Sequence, residues 1–218
     1  MKFNSVVFDL DGTLLDTLGD LRDSVNYALE KNRLPKRTTE EIRSFVGNGI
    51  RLLIERSVPE NTSSEITDKC FSAFKEYYKE HSAILTKPYD GIIDIMKALK
   101  SKGVKIAVVS NKADFAVKTL MEDYFGGLYD CAYGERAGVP RKPAPDGVFN
   151  AINEMGADVE NTVYIGDSEV DVEVSRNAQL TCIAVTWGFR DKKVLESLNP
   201  EYIVDSPSDI MRIIERGI

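Results

Sequence analysis

Three apolar runs in this chain each break off into a polar cluster: "VVFDLDGT", "IAVVSNK" and "TVYIGDSEVD". No other feature limits the possible folds as much. Apolar strands that alternate with helices of about 10 to 15 residues build right-handed βαβ units, and those units build a parallel sheet. The helical patterns are present: Ile92, Met96 and Leu99 ahead of Gly103, then "ADFAVKTLMEDYF" and "PDGVFNAINEMG". Two further apolar segments, "TCIAVTWG" and "YIVDS", continue the series. The expected class is α/β, with a Rossmann-like parallel sheet.

One block departs from this rhythm. Leu21, Val25 and Leu29 recur at helical spacing, and Thr38 with Glu41 three residues on makes a capping box. "IRLLIERSV" and "SSEITDKCFSAFKEYYKEHS" continue the helical run. Residues 17–84 are therefore expected to form a helical cap, inserted into a core made of residues 1–16 and 85–218.

Asp9 and Asp11 stand two residues apart where the first strand ends. An extended chain alternates faces, so both carboxylates would point the same way. Asp11-Gly12 taken alone also suits a hairpin turn. The same polar exit on strands far apart in sequence favours a shared site, because open parallel sheets bind ligands beyond the carboxyl ends of their strands. The converging set is Asp9, Asp11, Ser110, Asn111, Asp167 and Asp171. Lys142, in "RKPAPD", stands just before the helix that feeds the third of these strands, with Lys112 as a rival cation. Two like charges repel by roughly 4 kcal/mol at 4 Å and an effective dielectric of 20. A hard divalent cation relieves that repulsion, and an all-oxygen donor set suits Mg²⁺ better than zinc. Lys142, Ser110 and Asn111 could then hold a phosphoryl group beside the metal.

Composition removes several alternatives. The net charge is −7 with Lys and Arg scattered, which argues against nucleic acid or an anionic membrane as partner. No apolar run reaches the roughly 18 residues of a spanning helix, and the N-terminus lacks a signal-peptide pattern, so a cytoplasmic location is expected. Cys70, Cys131 and Cys182 are widely spaced and form no CxxC, so they read as buried thiols. His81 is the only histidine and ends a helical pattern. Acid–base chemistry must therefore come from other side chains.

With these residues in place, the sequence resembles the phosphatase branch of the haloacid dehalogenase superfamily. "DLDGTLLDT" is similar to its first motif, "VVSN" to its second, "KPAP" carries the motif lysine, and "GDSEVD" is similar to its fourth. "VGNGIRLLIER" and "VTWGFR" further resemble phosphoglycolate-phosphatase-like members. The resemblance implies roles residue by residue. Asp9 would be the nucleophile that takes the phosphoryl group, and Asp11 the general acid and base. Mg²⁺ would be held by Asp9, the Asp11 backbone carbonyl and Asp167, with Asp171 binding directly or through water. Gly12 would let the backbone turn close to the site, and Thr13 would fix the Asp11 side chain. From the residues themselves, the cap's "GNG" is either a helix-ending turn or a loop that brings Asn48 onto the substrate, and Arg51 and Arg56 are either surface residues or partners for a substrate carboxylate. Gln179 stands where the family usually places a helix-ending glycine.

The expected activity is Mg²⁺-dependent hydrolysis of a small phosphomonoester, phosphoglycolate first among the candidates, by a monomer or homodimer. Two rivals share parts of this chemistry. A sugar-phosphate mutase would return the phosphoryl group to a second hydroxyl. A phospho-accepting signalling domain would hold it without turnover, but the acid–base residue and the inserted cap argue against that reading.

Overall fold

The structure is a computed structural model and describes residues 1–217. The chain divides into two compact units, residues 1–15 with 88–218 and residues 16–87. The first begins with β1 (Ser5–Phe8), and two short strands, β2 (Leu15–Asp16) and β3 (Lys87–Pro88), mark the two points where the chain changes unit.

The helical unit holds α1 (Leu18–Lys31), α2 (Thr39–Phe45), α3 (Gly49–Ser57) and α4 (Ser64–His81). The amphipathic spacing read from the sequence lies on its packed faces. Leu21, Val25 and Leu29 of α1 and Cys70, Phe74 and Tyr78 of α4 are buried as those two helices pack together. Thr38 closes the expected capping box with Glu41 at the start of α2. Asp20, in the first turn of α1, is buried and accepts from the backbone N–H groups of Ile84, Leu85 and Thr86 and from the Thr86 hydroxyl. His81 stacks on Tyr77 at 3.7 Å, which stacks in turn on Tyr27 at 4.1 Å.

The α/β unit continues with α5 (Ile92–Ser101), β4 (Lys105–Ala113), α6 (Asp114–Phe125), β5 (Cys131–Glu135), α7 (Asp146–Met155) and β6 (Thr162–Gly166). It ends with α8 (Glu169–Asn177), β7 (Thr181–Val185), α9 (Lys192–Ser197), β8 (Tyr202–Val204) and α10 (Pro207–Arg216). The strands form one six-stranded sheet in the order β5-β4-β1-β6-β7-β8, with every pairing parallel. Parallel strands need both faces covered, and β1 is accordingly buried along its whole length. One face packs Phe8, Ile106, Val108, Ile165 and Ile183 against α5, α6 and α10. The other packs Val7, Ala107, Val109 and Tyr164 against α7 and α8.

The strand order reverses around β1, whose neighbours are the third and fifth strands to follow it. That reversal opens a crevice at the carboxyl end of β1. After α8, Gln179 takes a left-handed conformation with φ of 59°, at a cost of the order of 1 kcal/mol relative to glycine. All three cysteines are buried thiols, and burial pushes Cys131 and Cys182 up to about 12.

Candidate active site

Register brings the three polar exits to one level. Phe8 pairs with Val108 on one side and Ile165 on the other, and the Asp9 N–H extends the ladder by donating to the Ile165 carbonyl at 2.9 Å. Asp9, Ser110 and Asp167 thus leave the sheet side by side. The hairpin reading of Asp11-Gly12 fails, since β1 has no antiparallel partner.

Lys142 is at the centre of the network. Its ammonium lies 2.8 Å from Asp9 Oδ1, 2.8 Å from Asp171 Oδ1 and 2.8 Å from the Tyr164 hydroxyl. The loop that carries it is held by Asn111, which donates to the Lys142 carbonyl at 3.0 Å, and by Asn177, which donates to the Pro143 carbonyl at 2.8 Å. Burial alone would lower the ammonium's pKa, but Asp171 and Asp9 outweigh it and hold the group above its ordinary value. Asp171 is saturated with donors. Oδ1 accepts from Lys142 and from the Tyr164 hydroxyl at 3.0 Å, and Oδ2 from the Ser168 N–H at 3.1 Å and hydroxyl at 2.6 Å. Ser168 is the N-cap of α8, and it closes a capping box with Asp171.

Asp167 is gripped by one backbone N–H and one side-chain hydroxyl. The Phe189 N–H donates to its Oδ2 at 2.6 Å, and Thr13 Oγ1 donates to its Oδ1 at 3.2 Å. The expectation that Thr13 fixes Asp11 is corrected here: the tight turn after Asp11 carries the hydroxyl toward the fourth motif instead. Gly12 has φ of +89°, and a Cβ there would lie 2.5 Å from Asp167 Oδ2. Gly188 meets the same carboxylate from the other side, with a Cβ position 2.3 Å from the Asp167 Cβ and from the Gly12 carbonyl. Arg190 anchors this loop through paired contacts of 2.6 and 2.9 Å to Glu169. The "WGFR" segment therefore shapes the site through the backbone at Gly188 and Phe189, a role the sequence reading did not assign. Its glycine was the available signal.

The cation on Asp11 is Lys112. Its Nζ lies 3.0 Å from Oδ1 and 3.3 Å from Oδ2, and its side chain is only 3% exposed. The sequence reading set Lys112 and Lys142 against each other. Both are used, one on each aspartate of the first motif.

Asp9, Asp167 and Asp171 each bring a carboxylate oxygen within 4.8 Å of the others. Burial, and after it the Asp171 charge, push the Asp9 carboxyl up to about 7 against the pull of Lys142. Burial, Asp171 and Asp9 likewise raise Asp167 well above the usual carboxylate range. One ammonium does not neutralise three carboxylates. The donor set, all oxygen and short of positive charge, fits a hard divalent cation.

Asn48 and Arg51 belong to the helical unit. Asn48 precedes α3 between Gly47 and Gly49, both with positive φ. Arg51 pairs with Glu55 at 2.6 Å and Asp68 at 2.5 Å and lies over the Phe71 ring. Arg56 donates to the Phe45 carbonyl. Among the described residues, no helix is long and apolar enough to cross a membrane.

Comparison with known proteins agrees with this geometry. The chain is 29% identical over 214 residues to the phosphoglycolate phosphatase of Aquifex aeolicus, covering 98% of this chain and 97% of that one. It is 30% identical to the phosphoglycolate phosphatase of Agrobacterium fabrum, covering 97% and 94%. A crystal structure of a candidate phosphoglycolate phosphatase from Lactobacillus delbrueckii subsp. bulgaricus superposes with a TM-score of 0.94 at 37% identity, covering 98% and 99%. The sequence profile of the haloacid dehalogenase-like hydrolases matches residues 6–185, spanning all three polar exits and the Lys142 loop, and the chain belongs to that family.

Proposed function

We propose that this hydrolase is a Mg²⁺-dependent phosphatase acting on a small acidic phosphomonoester, 2-phosphoglycolate first, through an aspartyl-phosphate intermediate. The observation that carries this reading is the buried Asp9–Lys142 pair at the end of β1, with a second ion pair, Asp11–Lys112, two residues along the chain. The named activity of the relatives supports the substrate.

In the first step an Asp9 carboxylate oxygen attacks phosphorus. The P–O ester bond breaks with its electron pair on the ester oxygen, and Asp11 delivers a proton there. In the second step Asp11 takes a proton from water, whose oxygen attacks phosphorus and releases Asp9 and orthophosphate. Lys142 holds Asp9 in position and faces the phosphoryl oxygens, while Ser110 and Asn111 contribute hydroxyl and amide groups around them. Mg²⁺ would be held by Asp9, Asp167 and the Asp11 carbonyl, and when bound it supplies the positive charge that the carboxylates and phosphoryl group require. Asp171, with four donors already on its two oxygens, serves mainly to orient Lys142 and the Ser168 turn.

Residues 17–84 act as a mobile cap that admits substrate and excludes bulk water while Asp9 takes the phosphoryl group. Orthophosphate release from a panel of small phosphomonoesters, with and without Mg²⁺, tests the reading. Hydrolysis should require the metal and favour phosphoglycolate. No turnover of any phosphomonoester would sink it, and isomerisation without release would move the protein to the mutases.

A further inference from the structure

We propose that Lys112 is the specificity-determining cation of this site: it receives a carboxylate carried on the leaving-group side of the substrate. The inference rests on the phosphatase reading above and deepens it.

The two buried ammonium groups divide the site. Lys142 is engaged by Asp9, Asp171 and Tyr164, which places it on the phosphoryl side. Lys112 is engaged by Asp11, the residue that must meet the ester oxygen, which places it on the leaving-group side. An acid working on that oxygen stands about 2.6–3.2 Å from it. Lys112 Nζ is 3.0 Å from the nearer Asp11 oxygen, so a group two covalent bonds beyond the ester oxygen comes within its reach. In a phosphorylated 2-hydroxy acid, that group is a carboxylate.

The location of Lys112 is built in rather than accidental. β4 runs on to Ala113 with a register irregularity between Val109 and Ala113, and Ser110, Asn111 and Lys112 are all buried along it. The Lys112 N–H donates to Ser110 Oγ at 3.2 Å, tying the lysine to the strand exit. The Lys112 side chain is 3% exposed against 17% for Asp11, so the ammonium is largely desolvated while its carboxylate partner keeps an open side. A desolvated ammonium discriminates strongly between a carboxylate and a neutral hydroxyl. Arg51, the cation that the sequence pattern offered for this task, is 42% exposed in its pairs with Glu55 and Asp68 and lacks the desolvation of Lys112.

The test compares phosphoglycolate with 2-hydroxyethyl phosphate, which replaces the carboxylate by a neutral alcohol of similar size. The wild type should prefer phosphoglycolate in kcat/KM by about tenfold or more. Lys112→Gln should lower both values, since Asp11 loses its partner, but should shrink the preference about tenfold or more, mostly through KM. Lys112→Arg should retain most of the preference. Calorimetric binding of the two esters to Asp9→Asn and to Asp9→Asn/Lys112→Gln should show the same selective loss without chemistry. Equal losses for both esters in Lys112→Gln overturn the proposal and leave the phosphatase reading intact, as does a wild type that hydrolyses both alike. A wild type that hydrolyses neither overturns this inference, and the phosphatase reading falls with it only when no other phosphomonoester in the panel is turned over.

Discussion

Each unit of this chain buries an aspartate early in its sequence, and the two are treated in opposite ways. Asp20, in the helical unit, accepts from three backbone N–H groups and a hydroxyl, all within the same unit. Its charge is met by fixed dipoles and its work is to hold the Ile84–Thr86 segment against α1. Asp9, in the α/β unit, pairs with Lys142 but has Asp167 and Asp171 close by, and burial with the Asp171 charge pushes its carboxyl up to about 7. Elsewhere the helical unit keeps its charges outside, in exposed pairs such as Lys69–Glu65 and Lys31–Glu76. A buried charge that local dipoles satisfy is architecture. A buried charge that local groups leave unbalanced points to something that comes and goes.

This contrast can be broken most directly at Asp9. Asp9→Asn should abolish phosphate release while raising the thermal midpoint of the metal-free protein at pH 8, because it removes a buried like-charge repulsion. Substantial residual turnover, or a lower midpoint, would put Asp9 in the architectural class with Asp20. Asp11→Asn should cost roughly 10² to 10⁴ in rate, and less for aryl than for alkyl esters, whose leaving oxygen needs the proton more. Equal losses for both ester types would remove Asp11 from the acid role.

Asp20→Ala is the mirror experiment. It leaves three backbone donors without their acceptor, which should destabilise the protein by about 1–3 kcal/mol in a denaturant titration. The folded variant should keep its phosphatase activity, and a loss of turnover with unchanged stability would reverse the assignment.

The unbalanced charge should also be visible in the pH dependence of stability. The folded pKa of Asp9, about 7, lies above its ordinary 3.8, so the native state binds more protons than the unfolded chain between those values. This contribution to stability is fully present below pH 3.8 and is lost as pH rises through about 7. Midpoints of the metal-free protein should fall across that window, and saturating Mg²⁺ should flatten the fall. A flat profile without metal would mean that Lys142 alone balances the site.

The smallest effect is expected at Arg51. If its exposed ion pairs are structural, Arg51→Ala should change kcat/KM for phosphoglycolate by about threefold or less, and alkyl and aryl phosphates alike. A selective loss on phosphoglycolate would bring the helical unit's charge into recognition and weaken the division drawn here.

The α/β fold was legible because its strands are apolar and their polar exits repeat. "VVFDLDGT" and "TVYIGDSEVD" announce both a buried strand and what stands at its end. Contacts made through backbone left no such mark. Nothing in the residue type of Phe189 says that its N–H donates to Asp167, and Thr13 was aimed at its chain neighbour when the turn at Gly12 carries it to a partner 154 positions away. Tyr164 looked like one more apolar strand residue, although its hydroxyl joins Lys142 and Asp171. Lys112 was visible, but its sequence position could not say which aspartate it would meet.

The central place of β1 has a further consequence for how the chain is made. Ser5 pairs with Lys105 and with Thr162, so the strand that ends in Asp9 gains its first neighbour only after the whole helical unit has been synthesised, and its second much later. The helical unit, by contrast, packs α1 on α2 and α4, and α3 on α2 and α4, all within residues 16–87, and can become ordered as it leaves the ribosome. The early apolar strand then stays unpaired until β4 arrives, and has only one neighbour until β6 follows. In pulse-labelled hydrogen exchange of ribosome-bound chains, the amides of α1 and α4 should therefore gain protection well before those of β1.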